Sequence, residues 1–136
     1  MVILEEIRKD LFSCDETDSL VHCVSRDFHM GKGIAVEFKR RFKRQNILRN
    51  QNKGIGDVAF LKVGKRRVYY LITKEFYYQK PKFEDLKRCL KSLEGLTREE
   101  EILSMPKIGC GLDGFKWEDV KKEIEHLPRK VKVYYI

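Results

Sequence analysis

The sequence predicts an α/β fold, a three-layer α/β/α sandwich in which a mixed sheet of about six strands lies between helices. Three observations predict it. Six short apolar or alternating stretches read as strands, and longer amphipathic stretches that read as helices are interleaved with them. Two kinds of connection occur, a tight hairpin around Gly64-Lys65 and helical crossovers, so strands of both directions share one sheet. Two glycine-rich loops each follow a buried strand and lead into a helix. In an open α/β sheet that is where ligands bind.

Residues 2–7 read as the first strand, and Lys9-Asp10-Leu11-Phe12 leaves it. Residues 15–18 form a polar turn. Residues 20–24, LVHCV, make a short strand buried on both faces. Residues 25–33 are the first glycine loop, and a helix starts near Gly33. Ile34, Phe38 and Phe42 recur every four residues on its apolar face, with Lys39, Arg40, Lys43 and Arg44 elsewhere on its surface. Residues 47–51 extend the helical region until Gly54 and Gly56 break it. Residues 58–63 and 68–73 are the two strands of the hairpin, and the second ends in Thr73-Lys74. An aromatic-rich loop, 75–80, follows. Pro81 opens a helix with Phe83, Leu86, Leu90 and Leu93 on its core face, and Gly95 stops it. Residues 102–105 form a strand that Pro106 closes. Gly109, Cys110, Gly111, Leu112, Asp113 and Gly114 make the second glycine loop. The last helix carries Trp117, Val120, Ile124 and Leu127 and ends at Pro128. In the final strand Val131, Val133 and Tyr135 alternate against Lys130, Lys132 and Tyr134.

The chain has 136 residues, which suggests one domain with one core, and its 42% hydrophobic content supports a folded globule. No apolar run approaches the ~20 residues of a membrane span. Glu5, Glu6, Arg8 and Lys9 follow the first apolar residues at once, unlike a secretory leader. The expectation is an intracellular protein, cytoplasmic or, in a eukaryote, nuclear. A net charge of +8 points to an anionic partner as a class. Cys14, Cys23, Cys89 and Cys110 form no CxxC pair and read as buried reduced thiols rather than a disulfide framework or zinc site.

Strand, glycine loop, helix is how a backbone approaches a phosphate. Glycine removes the side chain, and the helix N-terminus adds free N–H groups with partial positive charge. Two such loops suit a diphosphate, although neither GxxxxGK[ST] nor GxGxxG is present. Asp113 stands apart, since a carboxylate repels phosphate. It either caps the last helix or does separate chemistry.

Five segments together resemble the macro domain family, specifically the subclass of terminal ADP-ribose protein glycohydrolases. They are Asp10-Leu11-Phe12, DSLVHCVS at 18–25, MGKGIAV at 30–36 with Phe38-Lys39, YYLITK at 69–74, and LSMPKIGCGLD at 103–113. The order is the family's, and residues 1–136 read as a single macro domain. His22 to Ser25 stand where other macro domains carry tandem asparagines. Lys9, Lys32, Phe28-His29 and Phe76-Tyr77-Tyr78 depart from the family pattern and fall at the cleft rim.

The resemblance implies ADP-ribose in a cleft above the strand ends. It gives Asp10, with Leu11 beside it, the adenine amino group; the alternative for Asp10 is a solvated turn acid. Gly31, Gly33 and Ile34 line one side of the diphosphate and distal ribose; Gly109, Cys110, Gly111 and Leu112 line the other. Ser25 stands near the distal ribose or else is a capping hydroxyl. His22 belongs to the ligand-binding segment but reads more simply as a satisfied core histidine. Tyr134 and Tyr135 pack near the adenine or in the core. Lys74 and Asp113 are the implied catalytic pair, the lysine as nucleophile at the anomeric carbon and the aspartate handling protons; the alternative for Lys74 is a surface lysine. The implied activity is that of an ADP-ribosyl hydrolase. Its substrates are ADP-ribosylated protein, with acidic side chains as the default acceptor, and O-acyl-ADP-ribose. Removal of ADP-ribose from DNA bases and binding without cleavage are the alternatives. The clusters 39–44 and 62–67 serve a nucleic acid or are a solvated face. No metal or redox cofactor, no membrane and a monomer complete the expectation.

Overall fold

The computed structural model describes residues 4–136. Six strands form one sheet: β1 (Leu4–Arg8), β2 (Ser19–Ser25), β3 (Val58–Val63), β4 (Arg66–Lys74), β5 (Ile102–Pro106) and β6 (Lys130–Tyr135). Their order is β1-β6-β5-β2-β4-β3. All neighbours are parallel except β3 and β4, the hairpin turned at Gly64-Lys65, where Gly64 takes a φ of 60°. Val2 and Ile3, expected in the first strand, lie outside the described residues. A 3-10 turn (Leu11–Ser13) follows β1, and four helices complete the chain: α1 (Ile34–Phe42), α2 (Gln45–Arg49), α3 (Phe83–Leu96) and α4 (Trp117–Ile124).

Side chains alternate across a strand, and β2 and β4 show why the sheet is covered on both faces. Val21, Tyr69 and Leu71 face the layer of α3 and α4, where Leu86, Leu90, Leu93, Val120 and Ile124 meet them. Leu20, Val24, Val68, Tyr70 and Ile72 face the layer of α1 and α2, where Phe38 and Leu48 meet them. The expected three-layer α/β sandwich with a mixed sheet is therefore the fold.

Several expected boundaries shift. Pro81 does not open α3: Lys82 keeps an extended backbone (φ −92°, ψ 141°), and the helix begins at Phe83. Gly95 does not stop α3. A side chain there would meet nothing within 4 Å among the described residues, and the helix ends only at Thr97, which turns extended. α2 does not continue α1, because Lys43 and Arg44 take φ of 52° and 62° between them. α4 ends at Ile124, so Leu127 is buried beyond it. Ile34 is not core; it is 36% exposed at the start of α1. The alternation of β6 fails at its end, where Tyr134 is buried in the α1 layer. All four cysteines are free, but only Cys89 is buried; Cys14, Cys23 and Cys110 are half-buried.

The amino ends of the central strands are laced by polar groups. Asp18 accepts from Ser104 Oγ and Lys132 Nζ, both at 3.1 Å. Glu101 accepts from Ser19 Oγ (2.8 Å), Tyr69 Oη (2.9 Å) and the Arg98 N–H (2.8 Å). Burial alone raises the Glu101 carboxyl; the hydrogen bonds from Arg98, Ser19 and Tyr69 outweigh it and hold the group below its ordinary value of 4.5. A carboxyl lowered on folding stabilises the fold above its unfolded pKa, and that stability is lost as pH falls through the folded value. Glu101→Gln is therefore expected to cost about 1.5–3 kcal/mol at pH 7, since charged hydrogen bonds are replaced by weaker ones. In urea unfolding the gap to wild type should begin to narrow as pH drops below about 4.5 and close once pH lies below the folded value, where both side chains are neutral. A gap independent of pH contradicts this account.

Candidate active site

β2, β4 and β5 run parallel, so their carboxyl ends share one edge of the sheet. A cavity of about 630 Å³ opens there. Its floor is His22, Cys23 and Val24. One wall is the loop from Ser25 through His29 to Gly33 with the start of α1. The opposite wall is the segment from Pro106 to Asp113, and the third side is Lys74 with Tyr77 to Lys80.

Lys74 Nζ lies 3.0 Å from Asp113 Oδ1, with side chains 16% and 19% exposed. Lys74 is the last residue of β4, and so projects at the edge rather than from a surface face. Asp113 is not a helix cap. α4 begins at Trp117, and its N-cap residue Lys116 makes no side-chain cap bond. The end of β4 and the second glycine loop bring together residues 39 apart in the chain.

Gly31, Gly33, Ile34, Gly109, Gly111 and Leu112 line the cavity. A Cβ at Gly111 would meet nothing within 4 Å among the described residues, so a larger side chain would enter the cavity. Gly109 is required for another reason: its φ is 71°, and a Cβ would stand 2.6 Å from the Phe115 ring. Cys110 does not line the cavity. Its thiol turns inward, donates to the Ile108 carbonyl at 3.4 Å and packs on the core. Cys23 is on the floor, but burial pushes its thiol well up, so it offers no thiolate to compete with an amine.

Ser25 is buried and caps no helix; its hydroxyl donates to the Asp27 carboxylate. His22 is a core histidine but not a satisfied one. Its ring stacks on Phe38 at 3.7 Å, and neither nitrogen has a hydrogen-bond partner among the described residues. Burial depresses it to about 3, so it is neutral at pH 7 and unsuited to act as a general base there.

Asp10 and Leu11 are not in this cavity. They line a second one of about 290 Å³ with Tyr134 and Tyr135, and Ile34 borders both. Asp10 Oδ1 accepts the Phe12 N–H at 3.1 Å and so caps the 3-10 turn. Tyr135 also lies under Lys107, whose Nζ is 4.6 Å from the ring centroid. Sequence reasoning placed His29, Tyr77 and Tyr78 at the cleft rim but missed Asp27 and Lys80, and with them the contact between the two segments. The His29 and Tyr77 rings stack at 3.9 Å, and Lys80 Nζ bonds the Leu112 carbonyl across the mouth. The aromatic run at 76–78 marked that loop, but nothing in the sequence paired it with the first glycine loop.

The chain and its fold are similar to known proteins. The chain is 47% identical over 123 residues to ADP-ribose glycohydrolase OARD1 of Bos taurus, covering 89% of this chain and 81% of that protein. It is 30% identical over 126 residues to the DNA ADP-ribosyl glycohydrolase of Mycobacterium tuberculosis, covering 85% of this chain and 36% of that protein. The solved macrodomain of Mycobacterium tuberculosis DarG superposes with a TM-score of 0.86 at 25% identity, over 100% of this chain and 99% of that one. The macro domain model matches residues 21–124, and with these relatives it shows that the chain belongs to the macro domain family.

Proposed function

We propose that this protein is an ADP-ribosyl hydrolase that binds ADP-ribose and releases it from modified acceptors, acidic protein side chains and O-acyl esters first among them. The observation that carries the reading is the Lys74–Asp113 pair, 3.0 Å apart in a cavity walled by two glycine loops. The diphosphate and distal ribose lie between Gly31, Gly33 and Ile34 on one side and Gly109, Gly111 and Leu112 on the other. The adenosine extends past Ile34 into the smaller cavity, where Asp10 and Leu11 meet the base beside Tyr134 and Tyr135. All of these residues come from one chain, so a monomer suffices. Among the described residues no helix is long and apolar enough to cross a membrane.

Lys74 passes a proton to Asp113, and its amine attacks C1″ of the distal ribose. The Nζ–C1″ bond forms, the C1″–O bond breaks, and the electron pair leaves with the acceptor carboxylate. Water then attacks C1″ as the C1″–Nζ bond breaks; one of its protons stays on the new hydroxyl, the other passes to solvent, Asp113 returns its proton to the amine, and free ADP-ribose departs. The two-residue machinery argues against a module that only binds. Release from DNA is the second reading, and it has one observation behind it: Lys32, Lys80 and Lys107 line the cavity. The clusters singled out in the sequence support it less. Arg40 and Arg41 pair with Glu37 at 3.0 and 3.5 Å, Lys39 donates to the His29 carbonyl, and Arg66 donates to the Asp18 carbonyl. A panel of glutamate-linked, thymidine-linked and O-acetyl ADP-ribose separates the readings. Faster release from the thymidine conjugate, with affinity falling steeply in salt, selects DNA.

Calorimetry is expected to show ADP-ribose binding at least about tenfold tighter than AMP, which lacks the second phosphate and distal ribose. Gly111→Trp should remove that preference without lowering Tm, because the ring enters the cavity rather than the core. Equal affinities for the two ligands, or an unaffected Gly111→Trp protein, contradict the two-loop site. Lys74→Ala is expected to lower turnover by more than about 1,000-fold and Asp113→Ala by about 100- to 10,000-fold, with ADP-ribose Kd within about threefold of wild type. The double variant should be no slower than Lys74→Ala, since both act on one step. Turnover near wild type in Lys74→Ala shifts the role to Asp113 and a water.

A further inference from the structure

Asp27 has been given no chemical role, yet its carboxylate joins two sides of the cavity. Oδ1 accepts the Ser25 hydroxyl and the His29 N–H (3.1 Å), and Oδ2 accepts the Tyr77 N–H (3.3 Å). The Asp27 carbonyl accepts from Arg49 Nε of α2 at 3.1 Å, which anchors the residue to a helix. Tyr77 is three residues past Lys74, whose own carbonyl accepts the Arg26 N–H at 2.8 Å. A Cβ at Gly31 would stand 2.7 Å from the His29 ring, and that ring stacks on Tyr77. The first glycine loop and the segment that carries Lys74 are thus held in contact through residues 25–29.

The strand ladder alone does not hold that segment. The register of β2 on β4 shifts between Val24 and Ser25, so Ser25 pairs with Lys74 where the regular ladder would bring Thr73. Beyond Lys74 the chain carries exposed rings: Phe76 is 43%, Tyr77 49% and Tyr78 70% exposed. Its link across to Glu75, the Arg26 ion pair at 3.4 Å, is exposed and contributes little. The Ser25 hydroxyl has one proton, and it is spent on Asp27; only its lone pairs remain for a sugar hydroxyl.

We propose that Asp27 is a positioning residue that couples occupation of the first glycine loop to the placement of Lys74. This rests on the hydrolytic reading of the cavity. A ligand held by Gly31 and Gly33 stiffens residues 25–33. Through the shared carboxylate the same ligand stiffens residues 75–80 and keeps the Lys74 amine aimed at the sugar. A carboxylate accepts from all three donors. Asparagine has one acceptor oxygen and an NH2 that opposes at least one of them.

The test compares wild type with Asp27→Asn, Tyr77→Pro and Tyr77→Ala. Tyr77 is the second residue of a turn closed by the Gln79 N–H on the Phe76 carbonyl (3.1 Å), a position that suits proline, so Tyr77→Pro deletes the N–H without breaking the turn. Tyr77→Ala removes the ring alone. Single-turnover cleavage of a glutamate-linked conjugate is expected to slow about 10- to 100-fold in Asp27→Asn, with ADP-ribose Kd within about threefold and Tm little changed. Tyr77→Pro should be about tenfold slower than Tyr77→Ala. In hydrogen exchange, ADP-ribose should slow residues 75–80 in wild type but not in Asp27→Asn. A wild-type cleavage rate in Asp27→Asn, equal rates in the two Tyr77 variants, or equal exchange protection overturns the proposal. Affinity, rate and Tm falling together in Asp27→Asn overturn it too, since that marks a purely structural residue. If the wild type cleaves none of the conjugates, the hydrolytic reading fails, and the exchange comparison alone decides the coupling.

Discussion

The contact between Lys74 and Asp113 depends on strand direction. β4 and β5 both flank β2 in parallel, so three carboxyl ends reach one edge of the sheet. Had either neighbour run the other way, its following loop would open at the opposite edge. Parallel strands need crossovers, and the crossover helices cover both faces. That cover explains why β2 is apolar on both sides and why His22 and Tyr70 lie in the core. The cavity is the part of that edge that the loops leave unfilled, because glycine stands where side chains would otherwise close it.

The two ends of the sheet are built to opposite purposes. At the amino end, Asp18 accepts from Ser104 and Lys132, Glu101 accepts from Ser19, Tyr69 and Arg98, and Arg66 ties the hairpin to the Asp18 carbonyl at 2.8 Å. Buried polar groups with full partners make a rigid seam. At the carboxyl end, the polar groups are turned toward the cavity or shared between loops. Lys80 on the Leu112 carbonyl and Asp27 on Tyr77 are ties between loop residues that lie beyond the strand ladders. Flexibility needed for an acceptor to enter belongs at this end, and firmness at the other.

Much of this was legible in the sequence, and the failures share a cause. The strands, the Gly64-Lys65 hairpin and the core face of Phe38 follow from local periodicity, which the chain shows directly. The lining by Gly31, Gly33, Gly109 and Gly111 follows from glycine after a buried strand. Lys74 and Asp113 were singled out by resemblance, not by pattern. Local signals misled where a partner far along the chain decides. Pro81 and Gly95 mark no helix end, because Lys82 and Thr97 turn the backbone instead. Cys110 sits in the loop but turns to the core. Ser25 and Asp113 resemble caps until the helices they would cap begin elsewhere. Asp27 could not be read at all, since its partner Tyr77 is 50 residues away and contributes only a backbone N–H.

The central claim is that Lys74 forms a covalent bond to the distal ribose during turnover. Opening the ribose ring of that adduct gives an imine, which borohydride reduces to a stable amine. Wild-type protein quenched with borohydride during turnover of a glutamate-linked conjugate is predicted to carry one ADP-ribose, mapped by peptide mass spectrometry to Lys74. Lys74→Ala is predicted to carry none at that position. Full turnover by the wild type with no adduct at Lys74, under conditions that trap a known lysine imine, contradicts the account.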